Sequence, residues 1–342
     1  MTHSPRRSTD PAEHVHRSGE RTPPSGTSRP AGRRIRLLGV PAAALAVTLA
    51  AAACSSGQPG TTGDGKGKAD AAGAAKFDAF DKVAPDPAAA GRLPARVKSA
   101  GKLVVVMNVS SPPTKFYASD NKTIIGLNAD LARALGRVLG VQTQIDDVQL
   151  DGIIPGLGAK RYDMAISSMS ATPERLKVLD MVDYGAWGTS LAVAKGNPDK
   201  LSADNLCGHK IAVQQGSIQE AVRLPGFSKA CQAAGKPAVQ PVVLPSQTDA
   251  LVQLGSGRAD GVLADTPVLA YAAIQTPGKF QLVTEMNRSA VAVGLPKGSD
   301  LTPAVQAGLT ALMKSGTSQQ IFAKWGLKSA MIDRPQLEKS AS

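Results

Sequence analysis

Short apolar runs that alternate with amphipathic stretches are the feature that most restricts the fold of this chain. Runs of strand length, such as Lys102–Met107 (KLVVVM) and Lys210–Val213, are followed by stretches with helical spacing of their apolar residues. In Leu127–Leu139, for example, Leu131 and Leu135 fall on one helix face. Strands separated by helices form right-handed βαβ units around a mainly parallel sheet. The sequence therefore predicts an α/β fold.

The alternation occurs twice, which predicts two α/β lobes. The first series of strands and helices, with two helices near the C-terminus completing it, is Lys102–Met107, Leu127–Leu139, Val141–Ile145, Gly152–Leu157, Asp163–Ile166, Thr302–Met313 and Gln319–Trp325. The second series is Ser190–Ala194, Lys210–Val213, Ser217–Val222, Val239–Leu244, Gln247–Leu254, Val262–Ala264 and Thr266–Ile274.

Two extended segments, near residues 186–193 and 286–293, are predicted to cross between the lobes as hinge strands. The predicted boundaries follow from these crossovers: lobe 1 spans residues 96–189 plus 290–330, lobe 2 spans 190–289, and a tail spans 331–342.

A second feature is the 17-residue apolar run Leu37–Ala53, which follows Arg33, Arg34 and Arg36 and ends in small residues before Cys54. A basic front, an apolar run and a small-residue end are typical of an export signal, and this length is marginal for a bilayer span. The segment resembles the lipobox of bacterial lipoproteins, in which the cysteine becomes the lipidated first residue of the mature protein. A short anchor that is never cleaved is the alternative.

Residues 1–53 are therefore predicted to be a signal peptide with a disordered N-terminal extension. Residues 54–95 would be the lipidated cysteine and a flexible tether rich in Gly, Ser and Ala, with the folded part starting near Arg96. We expect an extracytoplasmic protein that Cys54 anchors to the outer face of the cell membrane.

Charge and composition argue against nucleic-acid binding. Residues 1–53 carry five of the 12 net positive charges, so much of the basic balance is lost with the leader. No nucleic-acid motif is present, and aromatic residues, at 4%, are too few for base stacking. No nucleic-acid partner is expected.

Two of the three cysteines, Cys207 and Cys231, remain after the lipidation site is assigned. An even pair in an oxidising compartment favours a disulfide, which would stabilise the fold by about 3 kcal/mol in the chain-entropy model. Two free thiols or a metal site are the alternatives. The mature chain contains one histidine, His209, so no metal or other cofactor is expected.

Three junctions between a strand and a helix carry residues suited to ligand binding, because ligands bind at the carboxyl ends of strands in open α/β sheets. In the first, Thr172 and Pro173 start a helix and place Arg175 in its first turn. A cation there is disfavoured by the helix dipole, and an anionic partner would relieve that cost. A solvated Arg175 paired with Glu174 or Asp180 is the alternative.

The second junction, AVQQGS at 212–217, would leave the backbone N–H groups of Ser217 and Ile218 free to hold an anion. The third, GVLADTP at 261–267, places Asp265 at a strand end just before a helix. There Asp265 either caps the helix or faces the cleft and binds an ammonium group. Together the junctions complement a zwitterionic amino acid.

These segments, in this order, resemble the family-3 extracellular solute-binding proteins of amino-acid ABC transporters, of the actinobacterial lipoprotein type. The motifs that carry the resemblance are GKLVVVMN (101–108), GLNADL (126–131), DGIIPGL (151–157), YDMAISSMSATPER (162–175), AVQQGS, GRADGVLADTP (257–267) and FAKWGL (322–327). The resemblance implies a two-lobed type II periplasmic-binding-protein fold. It also implies a monomer that captures an amino acid or similar zwitterion and delivers it to an ABC transporter permease.

The resemblance also implies roles for individual residues. Arg175 would bind the ligand's α-carboxylate, and Asp265 with the Ser168 carbonyl would hold the α-ammonium. Ser170, Ser217 and Ile218 would assist the carboxylate; the remaining ligand-binding candidates are Asn108, Ser111, Leu150 and Gln214.

The chain departs from the family at three of these positions. Many members have aromatic residues near Ser111 and Leu150 and an aspartate at Asn108. Trp187 could supply an aromatic wall instead, or serve in the core or hinge. The absence of the two aromatic residues and of the aspartate argues against a cationic ligand side chain and favours a neutral or small polar one.

Two other functions are compatible with this fold: a lyase or dehydratase, and a ligand-sensing module with the same pocket. Catalysis needs a general acid or base in the cleft. His209 is predicted at the surface away from it, and the cations around Asp265 would keep that residue ionised. We therefore expect a binding protein and not an enzyme.

Overall fold

A computed structural model of the chain describes residues 83–339. The predicted signal peptide, the lipidation site Cys54 and most of the predicted tether lie outside the described residues. Across 83–339, no helix combines the length and the apolar character that membrane crossing requires.

The strands alternate with helices, as the sequence predicts. The strands are β1 (Lys102–Met107), β2 (Phe116–Tyr117), β3 (Ile124–Ile125), β4 (Gln142–Asp147), β5 (Met164–Met169), β6 (Leu179–Ala194), β7 (Lys210–Gln214), β8 (Gln240–Leu244), β9 (Gly261–Asp265) and β10 (Phe280–Pro296). The α-helices are α1 (Pro87–Gly91), α2 (Ala95–Ala100), α3 (Leu127–Val138), α4 (Leu150–Gly158), α5 (Pro173–Val178), α6 (Leu224–Ala233), α7 (Gln247–Gly255), α8 (Thr266–Gln275), α9 (Thr302–Lys314) and α10 (Thr317–Lys324).

Eight strands form one sheet in the order β4-β1-β5-β10-β6-β9-β7-β8. In what we call the first half, β1 pairs in parallel with β4 and β5; in the second half, β7 pairs in parallel with β8 and β9. This arrangement confirms the predicted two-lobed α/β fold. The carboxyl ends of β1, β5, β7 and β9 are the positions where such folds bind ligands.

The two halves are joined by β6 and β10, which pair with each other in antiparallel fashion over most of their 16 and 17 residues. The pairing shifts register at three places, between Leu282 and Glu285, between Met286 and Ser289, and after Val291. The predicted crossovers, near residues 186–193 and 286–293, lie within these two long strands.

Each half has its own apolar core. In the first, α3, α9 and α10 pack on the sheet around Tyr184 and Phe322, both fully buried. In the second, Ile211 and Leu263 pack with Leu224 of α6. Each fully buried side chain of this size stabilises the fold by about 1.5–3 kcal/mol.

Cys207 and Cys231 are joined by a disulfide, which confirms the predicted pair. The bond ties the segment before β7 to α6, and Cys231 is buried in the core of the second half.

The folded part begins earlier than the predicted Arg96. Helix α1 starts after Asp86, whose Oδ1 accepts a hydrogen bond from the Ala89 backbone N–H at 2.8 Å. Ala89 and Leu93 are buried in the first core. The segment has no helical pattern of large apolar residues, so the sequence predicted it as part of the tether.

Two further segments differ from the prediction. In place of the helix expected at Ser217–Val222, one π-helical turn at Gln219–Arg223 leads directly into α6. The C-terminal segment, predicted as a tail, pairs with β6: the Asp183 N–H donates to the Gln336 carbonyl oxygen at 2.9 Å. An isolated bridge between Val182 and Leu337 extends this contact.

Candidate functional site

A cavity lies where the ends of β5, β7 and β9 face one another across the two halves of the sheet. The space between its lining atoms is about 420 Å³ when solvent at the open mouth is counted, and about 30 Å³ of it can hold the centre of a water molecule. Its lining is mostly polar and consists of Ser111, Lys115, Leu150, Ser167, Ser168, Met169, Arg175, Gln214, Ser217, Ile218, Gln219, Gln247, Asp265 and Val268.

Arg175 enters this cavity from the first half. The Thr172 hydroxyl caps α5 by accepting from the Arg175 backbone N–H, as predicted, and Pro173 begins the helix. The buried guanidinium donates to the Ser170 carbonyl oxygen at 2.9 Å and, across the cleft, to the Gly216 carbonyl oxygen at 3.0 Å. Burial lowers the pKa of Arg175, and the nearby Asp265 carboxylate opposes that shift.

Asp265 enters from the second half, at the end of β9. Gln219 holds it: the Gln219 Nε2 donates to Asp265 Oδ1 at 3.0 Å and to the Thr189 hydroxyl at 2.9 Å. Burial raises the pKa of Asp265, although Lys115, Trp187, Gln219 and Arg175 all favour its charged form. The sequence prediction considered the nearby cations, which favour the ionised form; burial acts in the opposite direction and is the larger effect.

Lys115 is a cavity residue that the sequence argument missed. Its side chain is buried, and its Nζ lies 3.4 Å from the hydroxyl oxygens of Thr114 and Ser168. Burial lowers the pKa of Lys115 to about 8, with the Asp265 carboxylate acting in the opposite direction. No local pattern marks this residue, because Lys115 stands eight residues after β1 and directly before the short strand β2.

Ser168 sits at the centre of a buried polar network. Its backbone has a φ of 58°, a left-handed conformation that is strained for a non-glycine residue and that recurs at functional sites. The Ser168 N–H donates to the Tyr184 hydroxyl at 3.2 Å, and that hydroxyl donates to Asn128 Oδ1 at 3.1 Å. Asn128 Nδ2 in turn donates to the Ser168 hydroxyl at 3.0 Å, so the network fixes the side chain that faces Lys115.

The predicted site residues divide into two groups. Eight of them line the cavity: Arg175, Asp265, Ser168, Ser217, Ile218, Ser111, Leu150 and Gln214. Ser170 and Asn108 lie outside the lining, and each supports it. Ser170 accepts from Arg175 through its carbonyl oxygen, and Asn108 Oδ1 accepts from Gln214 Nε2 at 2.7 Å.

The turn between β7 and the π-helical turn differs from the expected anion cradle. The Ser217 N–H, predicted to be free, donates to the Gln214 carbonyl oxygen at 3.2 Å. The Ser217 hydroxyl accepts from the Glu220 N–H at 3.1 Å. Trp187 packs edge-on against Tyr184 in the first core and is not among the residues that line the cavity.

Several hydrogen bonds connect the two halves across the cleft. Gln215 Nε2 donates to Asp151 Oδ2 at 2.9 Å, and the Thr248 hydroxyl donates to the Ser110 carbonyl oxygen at 3.2 Å. With the Arg175 contact to Gly216, these bonds hold the halves in a closed arrangement over the cavity.

Within residues 83–339, no group of three or more His, Cys, Asp or Glu side chains is placed to hold a metal ion. His209, the residue predicted at the surface, lies partly exposed with its Nδ1 3.2 Å from Asp260 Oδ2.

Residues 103–328 match the family model of the bacterial extracellular solute-binding proteins, family 3. The chain belongs to this family. An arginine-binding protein of Corynebacterium glutamicum, ArgT, is 30% identical over 259 residues, which cover 75% of this chain and 85% of ArgT.

Solved structures of amino-acid-binding proteins have the same fold. An ancestral arginine-binding protein bound to arginine is 31% identical, with a TM-score of 0.60 and coverage of 66% of this chain and 98% of that one. An ancestral amino-acid-binding protein described as a precursor of cyclohexadienyl dehydratase is 28% identical, with a TM-score of 0.59 and coverage of 67% and 97%.

Proposed function

We propose that this chain captures an amino acid or a related zwitterion between two lobes and delivers it to an ABC importer. One observation carries the proposal: Arg175 from the first half and Asp265 from the second line the same cavity. A guanidinium suits a carboxylate, and a carboxylate suits an ammonium group. The two ends of an amino acid would thus be bound by opposite halves.

The same pair explains why ligand binding and closure would be coupled. A buried charge without its partner is strongly unfavourable, so closing the cleft over Arg175 and Asp265 alone is disfavoured. A ligand that meets both groups removes this cost in the closed form only, and a ligand shifts an equilibrium by its differential affinity for the two states. The empty protein should therefore favour the open form. We propose that the moving units are residues 96–189 plus 290–330, together with α1 and the C-terminal segment that pack on them, and residues 190–289.

We also propose that the protein works outside the cell membrane, anchored through a lipid on Cys54. The apolar segment before Cys54 and the family's extracellular character support this assignment. Replacing Cys54 by serine should move the protein from the membrane fraction to the soluble fraction of cells that export it. Membrane retention of the variant would contradict the anchor.

We propose that the chain is a binding protein without catalytic activity. The relatives that it matches are named as binding proteins, including the ancestral precursor of the dehydratase. Incubation with each amino acid, followed by proton NMR, should leave the spectrum of the free ligand unchanged. Appearance of a new product would contradict this part of the proposal.

The decisive experiment is calorimetry on Arg175→Ala with the twenty common amino acids. Loss of a two-pronged, charge-assisted contact should weaken the best wild-type ligand by about 3 kcal/mol or more, roughly a hundred-fold. Arg258→Ala, which removes an exposed arginine outside the cavity, is the matched control and should bind normally. Unchanged affinity in Arg175→Ala, with an unaltered circular dichroism spectrum, would refute the assigned role.

A further inference from the structure

The cavity contains one more positive charge than a neutral amino acid requires. Among the described residues that line it, Arg175 and Lys115 are cationic and Asp265 is anionic. If the α-groups of the ligand are bound as proposed above, they use Arg175 and Asp265. Lys115 is then left without a counter-charge.

The contacts of Lys115 are too weak to compensate its burial. Its Nζ lies 3.4 Å from two hydroxyl oxygens, at the long end of hydrogen-bond distances. Within residues 83–339, no carboxylate oxygen lies within the 4.0 Å of an ion pair with this ammonium group. Burial of a charged group without a close partner is unfavourable, and a ligand carboxylate beside Lys115 would offset that cost.

A second side chain in the same cavity also lacks an acceptor. Gln247 is 5% exposed, and its Nε2 has no hydrogen-bond partner among the described residues. Buried donors without acceptors are rare in folded proteins, so this amide is a feature that a ligand would complete. Like the Lys115 ammonium group, this amide would donate a hydrogen bond to an acceptor atom of the ligand.

From these contacts we infer that the ligand is a dicarboxylic amino acid, such as L-aspartate or L-glutamate. Arg175 and Asp265 hold its α-groups. Lys115 takes the side-chain carboxylate, with the Gln247 amide as a further donor. This inference rests on the proposed function and replaces the neutral side chain expected from the sequence. A guanidinium side chain would instead add a third cation to the cavity.

The test is calorimetry at pH 7 on the full-length protein with L-glutamate, L-aspartate, L-glutamine, L-asparagine and L-arginine. Wild type should bind at least one acidic ligand about tenfold or more tightly than its amide. Lys115→Met should remove that preference, because it should weaken binding of the acidic ligands far more than binding of their amides. Lys122→Met, at an exposed lysine in the nearby hairpin, is the matched control and should keep the preference.

A measurement on wild type alone keeps the test valid if Lys115→Met fails to fold. An acidic ligand should raise the pKa of Lys115 above the value of about 8 that burial gives it in the closed cavity. At pH 8.5 the complex with an acidic ligand should therefore take up more protons than the complex with its amide. Calorimetry in two buffers of different ionisation enthalpy measures this uptake. It should be larger for glutamate than for glutamine, a comparison that cancels any contribution from Asp265.

The outcomes separate the two proposals. Tighter binding of arginine or of a neutral amino acid, survival of the acidic preference in Lys115→Met, or equal proton uptake for glutamate and glutamine would each overturn the inference. Amino-acid capture would still stand in those cases. If wild type binds none of the twenty common amino acids and no related zwitterion such as a betaine, the proposed function itself fails.

Discussion

Gly216→Ala should separate closure of the cleft from contact with the ligand. Gly216 lies in the turn after β7, in the second half, with a φ of +75°. A Cβ atom there would lie 2.9 Å from the Asp151 backbone nitrogen and 3.0 Å from its Cα. Asp151 belongs to α4 of the first half, so the new methyl group would contact the opposite side of the cleft.

The size of the effect follows from that geometry. Backbone atoms cannot move aside as flexible side chains do, so closure would require the two halves to part by several tenths of an ångström. Overpacking of this kind costs about 1–3 kcal/mol. Because the cost falls on the closed form, ligand affinity should drop by roughly 5- to 150-fold.

The positive φ adds a separate strain of about 1–2 kcal/mol that affects open and closed forms alike. Gly257→Ala is the matched control, because Gly257 has a φ of +70° and a Cβ atom added there would have no neighbour within 4 Å. Both variants should show a similar fall in melting temperature. Calorimetry should show weaker ligand binding for Gly216→Ala alone, and equal affinity for the two variants would refute the closure argument.

Three further outcomes are expected. Asp265→Asn should weaken amino acids by tenfold or more, about 1.4 kcal/mol, and weaken the matching carboxylic acids without the amine far less; equal losses in calorimetry would contradict its assignment to the ammonium group. Reducing the Cys207–Cys231 disulfide should cost about 3 kcal/mol and lower the melting temperature; an unchanged melting temperature would show that the bond contributes little. Burial, with a smaller contribution from Glu338, raises the pKa of Asp183 to about 8, above the value of about 4 in the unfolded chain. The contribution of its protonated form to stability is therefore fully present at pH 4 and is lost as pH rises through 8. In Asp183→Asn, the free energy of unfolding measured by urea denaturation should depend less on pH between these values. The same pH dependence as in wild type would contradict the shift.

The fold could be predicted from the sequence because the pattern of each segment agrees with the topology of the whole chain. Strands such as β1 and β7 are short, apolar and followed by helices, and this alternation leaves few topologies. Helix α1 was missed for a physical reason: alanines with a single capping aspartate bury well against a large core, yet they produce little periodic signal.

Arg175 and Asp265 could be predicted because each stands at a recognisable junction, after a strand and at a helix start. Lys115 could not be predicted in this way. Its burial depends on Ser168 of β5, more than fifty residues away along the chain, and on the position of Asp265 in the other half. A lysine in isolation predicts a solvated side chain, and only tertiary packing places it in a cavity.

The paired strands β6 and β10 determine how such a molecule can flex. If irregular loops connected the two halves, their backbone groups would change hydrogen-bond partners whenever the halves moved. A two-stranded ribbon would instead bend while its backbone hydrogen bonds stay formed. The three register shifts mark places where such a ribbon would bend locally while the pairing on either side is kept. Opening would thus cost little beyond the separation of the facing surfaces, and the resting position of the molecule would depend on the few polar contacts along the mouth rather than on stiffness in the linkage.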